Sequence, residues 1–527
     1  MPHETHLPVV IAGAGPTGLV LACELRRRGI ECLVVERDPM LFQGARGKGL
    51  QPRSLEMLED VGILDQVLAL GGQYPSLRIH LPGQFMDRRL DELHDPRPDM
   101  PFPNVWMLPQ WRTGELLADH LEKLGGRIEF GTTVTAFEQD ADQVRVTLTD
   151  SAGTLRRLTA QYLVGADGGR SIVRHLLGVG FEGETRETER MFVADVRVEG
   201  LDRGYWHIWP DAEGRGQALA LCPMPSSDVF QLFAPVTDDA VTDVDPEALR
   251  QLLVAIAGLR LTDVLWSSLF RANIRMVSQY RVGRVLLAGD AAHVHSPAGG
   301  QGLNTGMQDA YNLGWKLAAV LSGADEALID SYEAERLPVA ADVLGISTRL
   351  HQKSVDRDEE AMRRDDPALQ QLSLSYRGGP LAEELRSAPG RLRAGDRAPD
   401  APCGSADGAP LRLFDLFRGP HSTLLAFGAD QDLNDGLNKA FGDRLRIHPI
   451  GDLDSAAPGS VIDADGHARQ AYGIEQAGTT PTLILVRPDG YVGLALEASD
   501  GPDEAVAAVG RYLDRIAPPA ADAPPAA

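Results

Sequence analysis

Residues 8–39 read "PVVIAGAGPTGLVLACELRRRGIECLVVERDP": a short β-branched run, Val9 to Ile11, enters G-x-G-x-x-G at Gly13, Gly15 and Gly18. An Ala/Leu-rich helix follows, then a second strand, "CLVVE", ending on Glu36. A glycine triplet alone marks any tight turn, but the strand–turn–helix–strand context gives this one meaning. Gly13 permits the turn, Gly15 lets a pyrophosphate approach the backbone, and Gly18 lets helix and strand pack closely. The helix N-terminus then faces the phosphates. Glu36 lies 18 residues past Gly18, placed to accept hydrogen bonds from an adenosine ribose. The competing reading is a glycine-rich turn in an unrelated α/β protein.

The 527 residues are enough for two to four domains, and 43% hydrophobic with 24% charged residues is ordinary for a soluble globular protein. A net charge of −24 argues against nucleic acid or anionic membrane as the main partner, because phosphate surfaces need basic patches. The four cysteines, Cys23, Cys32, Cys222 and Cys403, form no CxxC pair, which indicates a reducing compartment without disulfides or a zinc cluster. No signal peptide or bilayer-spanning stretch is apparent, so a cytoplasmic location is expected.

Beyond the first unit, residues 44–72 read as a loop and then amphipathic helices, with Arg46 and Lys48 where the loop leaves the second strand. Either could reach a phosphate or be solvated surface charge. Residues 106–126 form another helix with Gln110 near its start. The following alternating segments read as antiparallel strands ending on "GADGGRS", 165–171. From 185 to 275 the strands carry aromatics, "YWHIWP" at 205–210 and "DVFQLFAP" at 228–235. Trp206, Trp209, Phe230 and Phe233 are candidates to wall an apolar pocket, or sheet core. "APGRLRAGDRAPDAP", 388–402, marks a boundary before a small α/β domain.

A third glycine-rich stretch, "GDAAHVHSPAGGQGLNTGMQDAYNLGWKL", spans 289–317. It admits a metal site on His293 and His295, or a backbone cradle for an anionic cofactor. No third ligand lies nearby in the sequence, so no metal is expected.

In this order, "GAGPTG" with Glu36, "GADGGRS" and "AGDAAHVHSPAGGQGLN" resemble the motifs of FAD-dependent aromatic hydroxylases, the single-component flavoprotein monooxygenases of the 4-hydroxybenzoate hydroxylase type. The resemblance covers residues 7 to about 345. "RSLEMLEDVGILD" and a C-terminal "LVRPDGYVG" are similar to the subgroup that oxygenates polycyclic aromatic polyketides or inactivates antibiotics such as rifampicin. It implies an α/β fold: a Rossmann-like FAD-binding domain (1–75, 106–184 and 276–345) with an inserted antiparallel-sheet substrate domain (76–105 and 185–275). A helical connector (346–392), a thioredoxin-like α/β domain (395–516) and a disordered tail (517–527) complete the expected chain. "FGADQDLND", 427–435, stands where a redox dithiol would be, so the C-terminal domain is expected to be structural or to mediate a homodimer.

The resemblance also implies site residues. Gly13, Gly15, Thr17, Gly18, Glu36, Arg37, Arg46, Lys48, Gln110, Asp167, Gly289 and Asp290 are expected at FAD, Asp290 at the ribityl chain. Asp167, with Gly168 and Arg170, is also tied to the nicotinamide donor. Pro297 and Gly299 to Asn304, including Gly300, Gly302 and Leu303, are expected at the flavin ring. One departure is Thr113-Gly114, where relatives often carry Thr-Glu; the helix-start glutamate contact is then missing or shifted to Glu115.

The implied chemistry is reduction of FAD by NADPH (or NADH), capture of O2 as a flavin C4a-hydroperoxide, and oxygen transfer to an electron-rich phenolic ring. That needs a dry pocket. The aromatic sheet should cover it, with "QYPSLRIHLPGQF", 73–85, closing one side. No general base is identifiable, and His207 is the one candidate. The rival activities are Baeyer–Villiger or ring-opening oxygenation on the same scaffold, and a non-catalytic FAD-containing binder of a reactive polyketide intermediate.

Overall fold

Val9, Val10 and Ile11 are wholly buried, because the strand His6–Ala12 runs through the middle of a sheet covered on both faces. The computed structural model describes residues 6–90, 92–211, 217–236, 245–296, 298–355, 368–452, 459–474 and 480–518. Pro297 and residues 519–527 of the expected tail lie outside them.

The first sheet has the order Arg281–Val282, Val285–Leu287, Leu155–Gly165, His6–Ala12, Cys32–Glu36, Ile128–Phe130. The strands from Val285–Leu287 through Ile128–Phe130 are mutually parallel, as expected of strands buried on both faces. Helices Pro16–Arg26 and Gly302–Leu321 pack against each other over it. The antiparallel reading of residues 127–164 needs correction. Leu155–Gly165 pairs antiparallel with Val144–Asp150 up to Ala160, yet runs parallel to His6–Ala12 from Thr159 to Gly165. Its second half, "YLVG", is a continuous apolar run that fits a two-sided core, whereas its exposed polar first half fits a hairpin.

The second sheet has the order His293–Val294, Leu261–Met276, Glu182–Val198, Phe230–Val236, Gln217–Pro223, Tyr205–Pro210, Ser76–Leu81, Gln84–Arg88. Leu249 and Leu253 of helix Pro246–Ala257 join one face in a cluster with Trp209, Phe230 and Leu232. His293–Val294, inside the third glycine-rich stretch, pairs with Arg275 and Met276. That stretch therefore sits where the two sheets meet.

A third sheet is built around Thr423–Phe427, which pairs parallel with Arg446–Gly451 and antiparallel with Thr482–Val486, with helices Gln431–Phe441 and Pro502–Ile516 alongside. This is the thioredoxin-like domain. Asp430, not a cysteine, caps helix Gln431–Phe441 by accepting from the Leu433 N–H. The expected helical connector is only partly helical. Helix Ala327–Val355 ends it on one side, but residues 368–392 are turns and the short strand Glu383–Glu384, which joins the third sheet. Their glycines and prolines, with Gly378 at φ +71°, favour turns over helix. Among the described residues no helix is long and apolar enough to cross a membrane.

Candidate active site

The first glycines differ in what surrounds them. Gly13 has φ +105°, and a Cβ there would lie 2.4 Å from the Ala166 carbonyl oxygen; one on Gly18 would lie 2.1 Å from the Gly13 carbonyl oxygen. Both glycines serve close backbone packing. Gly15, at the N-cap of helix Pro16–Arg26, has nothing within 4 Å of where a Cβ would stand. Open space therefore faces the start of the helix, where an anion is favoured. Thr17 packs against the third glycine stretch: Cβ atoms on Gly289 and Gly306 would lie 2.6 and 2.7 Å from its Oγ1. Glu36 accepts from the Ala14 N–H at 2.8 Å and the Asp38 N–H at 3.0 Å, so it braces the turn at the end of the second strand. The Arg37 side chain is exposed beside Asp38.

Asp167 accepts the N–H groups of Ile172 and Val173, capping helix Ile172–Leu177, while the adjoining Gly168 has φ +79° and open space around it. Arg46 lies within electrostatic reach of Asp290, Arg170 and Arg37. These residues come from four separate segments, and the fold brings them to one side of the cradle. Gly300 has φ +64° with open space before it, whereas Gly299 packs against Leu350 and Leu369. Asn304 is a tie: it accepts from the Gln51 N–H and donates to the carbonyls of Gly49 and Gly300. A Cβ on Gly302 would come within 3.1 Å of His295. His293 donates to Asp309 at 2.7 Å, and Asp309 also pairs with Arg336 at 2.7 Å. No group of three or more His, Cys, Asp or Glu among the described residues is arranged to hold a metal.

The loop from Gly44 to Gly49 passes between this cradle and the second sheet. A Cβ on Gly47 would touch Leu303, and one on Gly44 would strike the Trp266 ring. Its backbone is tied at several points. Ala45 N–H donates to Asp195 at 2.8 Å, its carbonyl accepts from the Gln231 amide, and the N–H groups of Arg46 and Gly47 both donate to Gln110 Oε1. Gln110 thus holds the loop through its Oε1. Glu115 pairs with Arg112 at 2.7 Å.

Lys48 is corrected more sharply. It is neither a phosphate ligand nor surface charge: it is 8% exposed, turned to the sheet, and donates to Gln231 at 2.7 Å between the rings of Trp206 and Phe233. Once the loop is pinned at Ala45 and Gly47, the side chain of Lys48 has the sheet as its neighbour.

The four aromatic candidates divide by strand alternation. Trp206 and Phe233 face Lys48, but Trp209 and Phe230 lie on the opposite face among Leu219, Leu221 and Leu249. Those two are core, not pocket. His207 is also on the far face, where its Nδ1 meets His80 at 2.8 Å and its Nε2 donates to the Asp202 carbonyl, and it cannot serve as base. Asp195 and Gln231, aligned with Trp266 across three neighbouring strands on the loop side, escaped the sequence reading, whereas Trp266 belongs to the aromatic sheet expected to wall a pocket. An acid amid "FVADVRV" was the available signal.

Residues 6–347 match the FAD binding domain family, and residues 392–516 match the aromatic-ring hydroxylase C-terminal family. The chain belongs to the FAD-dependent aromatic-ring hydroxylases. A flavin-dependent monooxygenase of Mycobacteroides abscessus is 45% identical over 93% of this chain and 98% of that one. The 12-dehydrotetracycline 5-monooxygenase/anhydrotetracycline 6-monooxygenase of Streptomyces rimosus is 36% identical over 94% of this chain and 96% of that one. Among solved structures, aklavinone-11 hydroxylase in complex with FAD and aklavinone has a TM-score of 0.80 at 28% identity, covering 97% of this chain and 100% of that one. The protein is therefore an FAD-dependent monooxygenase.

The residues of this hydroxylase fit the flavin nucleotide. Open space lies before Gly15, Gly168 and Gly300, two of them with positive φ, so backbone can approach a large group there. The start of helix Pro16–Arg26 adds positive potential.

Asp195 supplies a pH prediction. Burial pushes its carboxyl up to about 7, while the Ala45 N–H and the charge of Lys48 pull it down. An unfolded aspartate titrates near 4, so between roughly pH 4 and 7 the folded chain binds the extra proton and this group's contribution to stability falls as pH rises. Asp195→Asn removes that slope. Its stability should gain on the wild type by on the order of 2–4 kcal/mol between about pH 5 and 8, read from urea unfolding at the two pH values. Parallel pH dependence in the two proteins would contradict the burial assigned to Asp195.

Proposed function

We propose that this hydroxylase uses NADPH and O2 to hydroxylate a polycyclic aromatic substrate bearing an acidic phenol or enol. The observation that carries the reading is the wall opposite the glycine cradle. Trp206 and Phe233 turn ring faces to one buried ammonium, that of Lys48, across the loop from Leu303. Flat aromatic ligands are favoured by such faces, and the relatives named for anhydrotetracycline and aklavinone act on ligands of that kind.

Bound FAD supplies reduction by the nicotinamide and activation of dioxygen for transfer of one oxygen atom. The chain supplies position. Gly15 at the start of helix Pro16–Arg26 would hold the pyrophosphate, with Gly13 and Gly18 shaping the turn behind it, Glu36 the adenosine ribose, Asp290 the ribityl chain, and the backbone of Gly300 to Asn304 the ring. Arg46, with Arg37 and Arg170 nearby, would attract the donor's phosphates at a locally positive rim of an acidic protein. The pinned Gly44–Gly49 loop keeps cradle and sheet in fixed relation, and the covered sheet excludes water that would waste the activated oxygen.

The test is consumption of NADPH and O2 by the yellow protein with anhydrotetracycline, aklavinone and rifampicin, with peroxide followed in parallel. Stimulation by at least one compound with little peroxide is expected. Bound FAD with no stimulation by any would contradict the substrate class and favour a non-catalytic binder.

A further inference from the structure

Lys48 carries its ammonium on the wall that faces the cradle across the Gly44–Gly49 loop. Its ammonium lies 4.4 Å from the Trp206 ring centre and 4.3 Å from that of Phe233, with Gln231 Oε1 at 2.7 Å. A buried charge is expensive, and Gln231 and the Asp195 carboxyl offset part of that cost here. The loop allows the side chain little freedom. Asp195 and Gln231 fix Ala45, Gln110 fixes Arg46 and Gly47, and the Lys48 carbonyl accepts from the Leu108 N–H at 2.8 Å. On the other side of the loop, Gly47 meets Leu303 at the start of helix Gly302–Leu321. The ammonium is thus presented at fixed depth, one loop thickness from the cradle.

We infer that Lys48 determines substrate specificity: its ammonium receives the ionised phenol or enol oxygen of the polycyclic aromatic substrate and sets which ring carbon faces the cradle. This rests on the reading under Proposed function. On binding, the substrate O–H bond breaks and its proton leaves to solvent. The electron pair stays on the oxygen, and Lys48 remains protonated. The ring faces of Trp206 and Phe233 favour the cationic state, and a site shielded from water strengthens the contact between ammonium and oxyanion. A ring carrying O⁻ is richer in electrons than the neutral phenol, so the carbons ortho and para to that oxygen become better acceptors of an electrophilic oxygen. The Asp195 carboxyl and the Cys222 thiol also respond to the charge of Lys48.

The experiment uses the FAD-loaded full chain and two variants, Lys48→Met and Gln231→Leu, titrated with anhydrotetracycline, aklavinone and rifampicin. Flavin content, unfolding midpoint, the visible spectrum of the bound compound against pH, and separate kcat and KM values are read. Lys48→Met should keep its FAD and remain folded, with a midpoint lowered only by the loss of the donor to Gln231. The wild type should lower the pKa of the bound phenol by about one unit or more, and Lys48→Met should not. KM should rise by about 30-fold in that variant, the loss expected for one charge-assisted hydrogen bond. Gln231→Leu retains the ammonium and should keep the lowered phenol pKa. Loss of FAD from Lys48→Met would make Lys48 a cofactor ligand and overturn the inference. So would a Lys48→Met protein with wild-type spectra and KM. A wild type that binds none of the three compounds contradicts the proposed substrate class itself, a result distinct from binding that ignores Lys48.

Discussion

A Gly15→Leu variant is expected to fold as stably as the wild-type apoprotein and to bind FAD at least about 100-fold more weakly, the cost of removing close phosphate contacts. Gly15 has φ −72° and ψ 171°, which any residue adopts, and its Cβ position meets no protein atom within 4 Å. A side chain there obstructs only what approaches from outside the protein. Gly18→Ala is the contrast, because its methyl would meet the Gly13 carbonyl oxygen at 2.1 Å and the helix would have to move. Overpacking of that kind costs about 1–3 kcal/mol, so this variant should lose both stability and flavin. FAD titration of the apoproteins, followed by flavin fluorescence, and urea unfolding separate the two effects. Normal FAD affinity in Gly15→Leu would place the pyrophosphate elsewhere.

Glu335→Leu is expected to destabilise the chain by about 3–5 kcal/mol, the range for removing one partner from a buried ion pair. Glu335 meets Lys316 at 2.6 Å and Arg487 at 2.6 Å, all three fully buried, and Arg487 also pairs with Asp489 at 2.5 Å. Asn312 donates to both acids. Arg487 and Asp489 belong to "RPDGY" of the thioredoxin-like domain, whereas Lys316 and Glu335 belong to helices of the flavin-binding part. The network is therefore one join between the two, beside Arg397–Glu56 and Arg412–Glu59. Burial alone would raise Glu335, but the charges of Arg487 and Lys316 outweigh it and hold the carboxyl at about 2. A depressed carboxyl contributes its full stability above pH 4.5 and loses it progressively as pH falls toward 2. Glu335→Leu leaves the buried Lys316 without its ion-pair partner and Arg487 with Asp489 alone, and adding Lys316→Met should recover part of the loss. An unchanged urea midpoint in the single variant would contradict a closed network.

The glycine motifs were legible because each has a local physical meaning: a turn, a close approach, a helix start. The strands around Val9, Val285 and Leu424 were legible because they are uninterrupted apolar runs. The orientation of the aromatic strands was not. Period two identifies 205–210 as a strand, but this sheet is covered on both faces, so Trp206 and Trp209 look alike until the loop and the helix Pro246–Ala257 are placed. Lys48 escaped for a related reason, since a lysine in a glycine-rich loop reads as solvated or phosphate-bound unless the contacts pinning Ala45 and Gly47 are known. Those contacts come from Gln110, Asp195 and Gln231, up to 186 residues away in the chain. The Lys316–Glu335–Arg487 network has the same character: each charge alone resembles an ordinary helix or turn residue.

The most direct measurement is a reaction under ¹⁸O₂ with NADPH and the polycyclic compound that stimulates NADPH consumption, with the product analysed by mass spectrometry and NMR. The account predicts one labelled oxygen on an aromatic carbon of the product, the ring system intact, and little peroxide. An unlabelled compound recovered with all reducing equivalents in peroxide would contradict it.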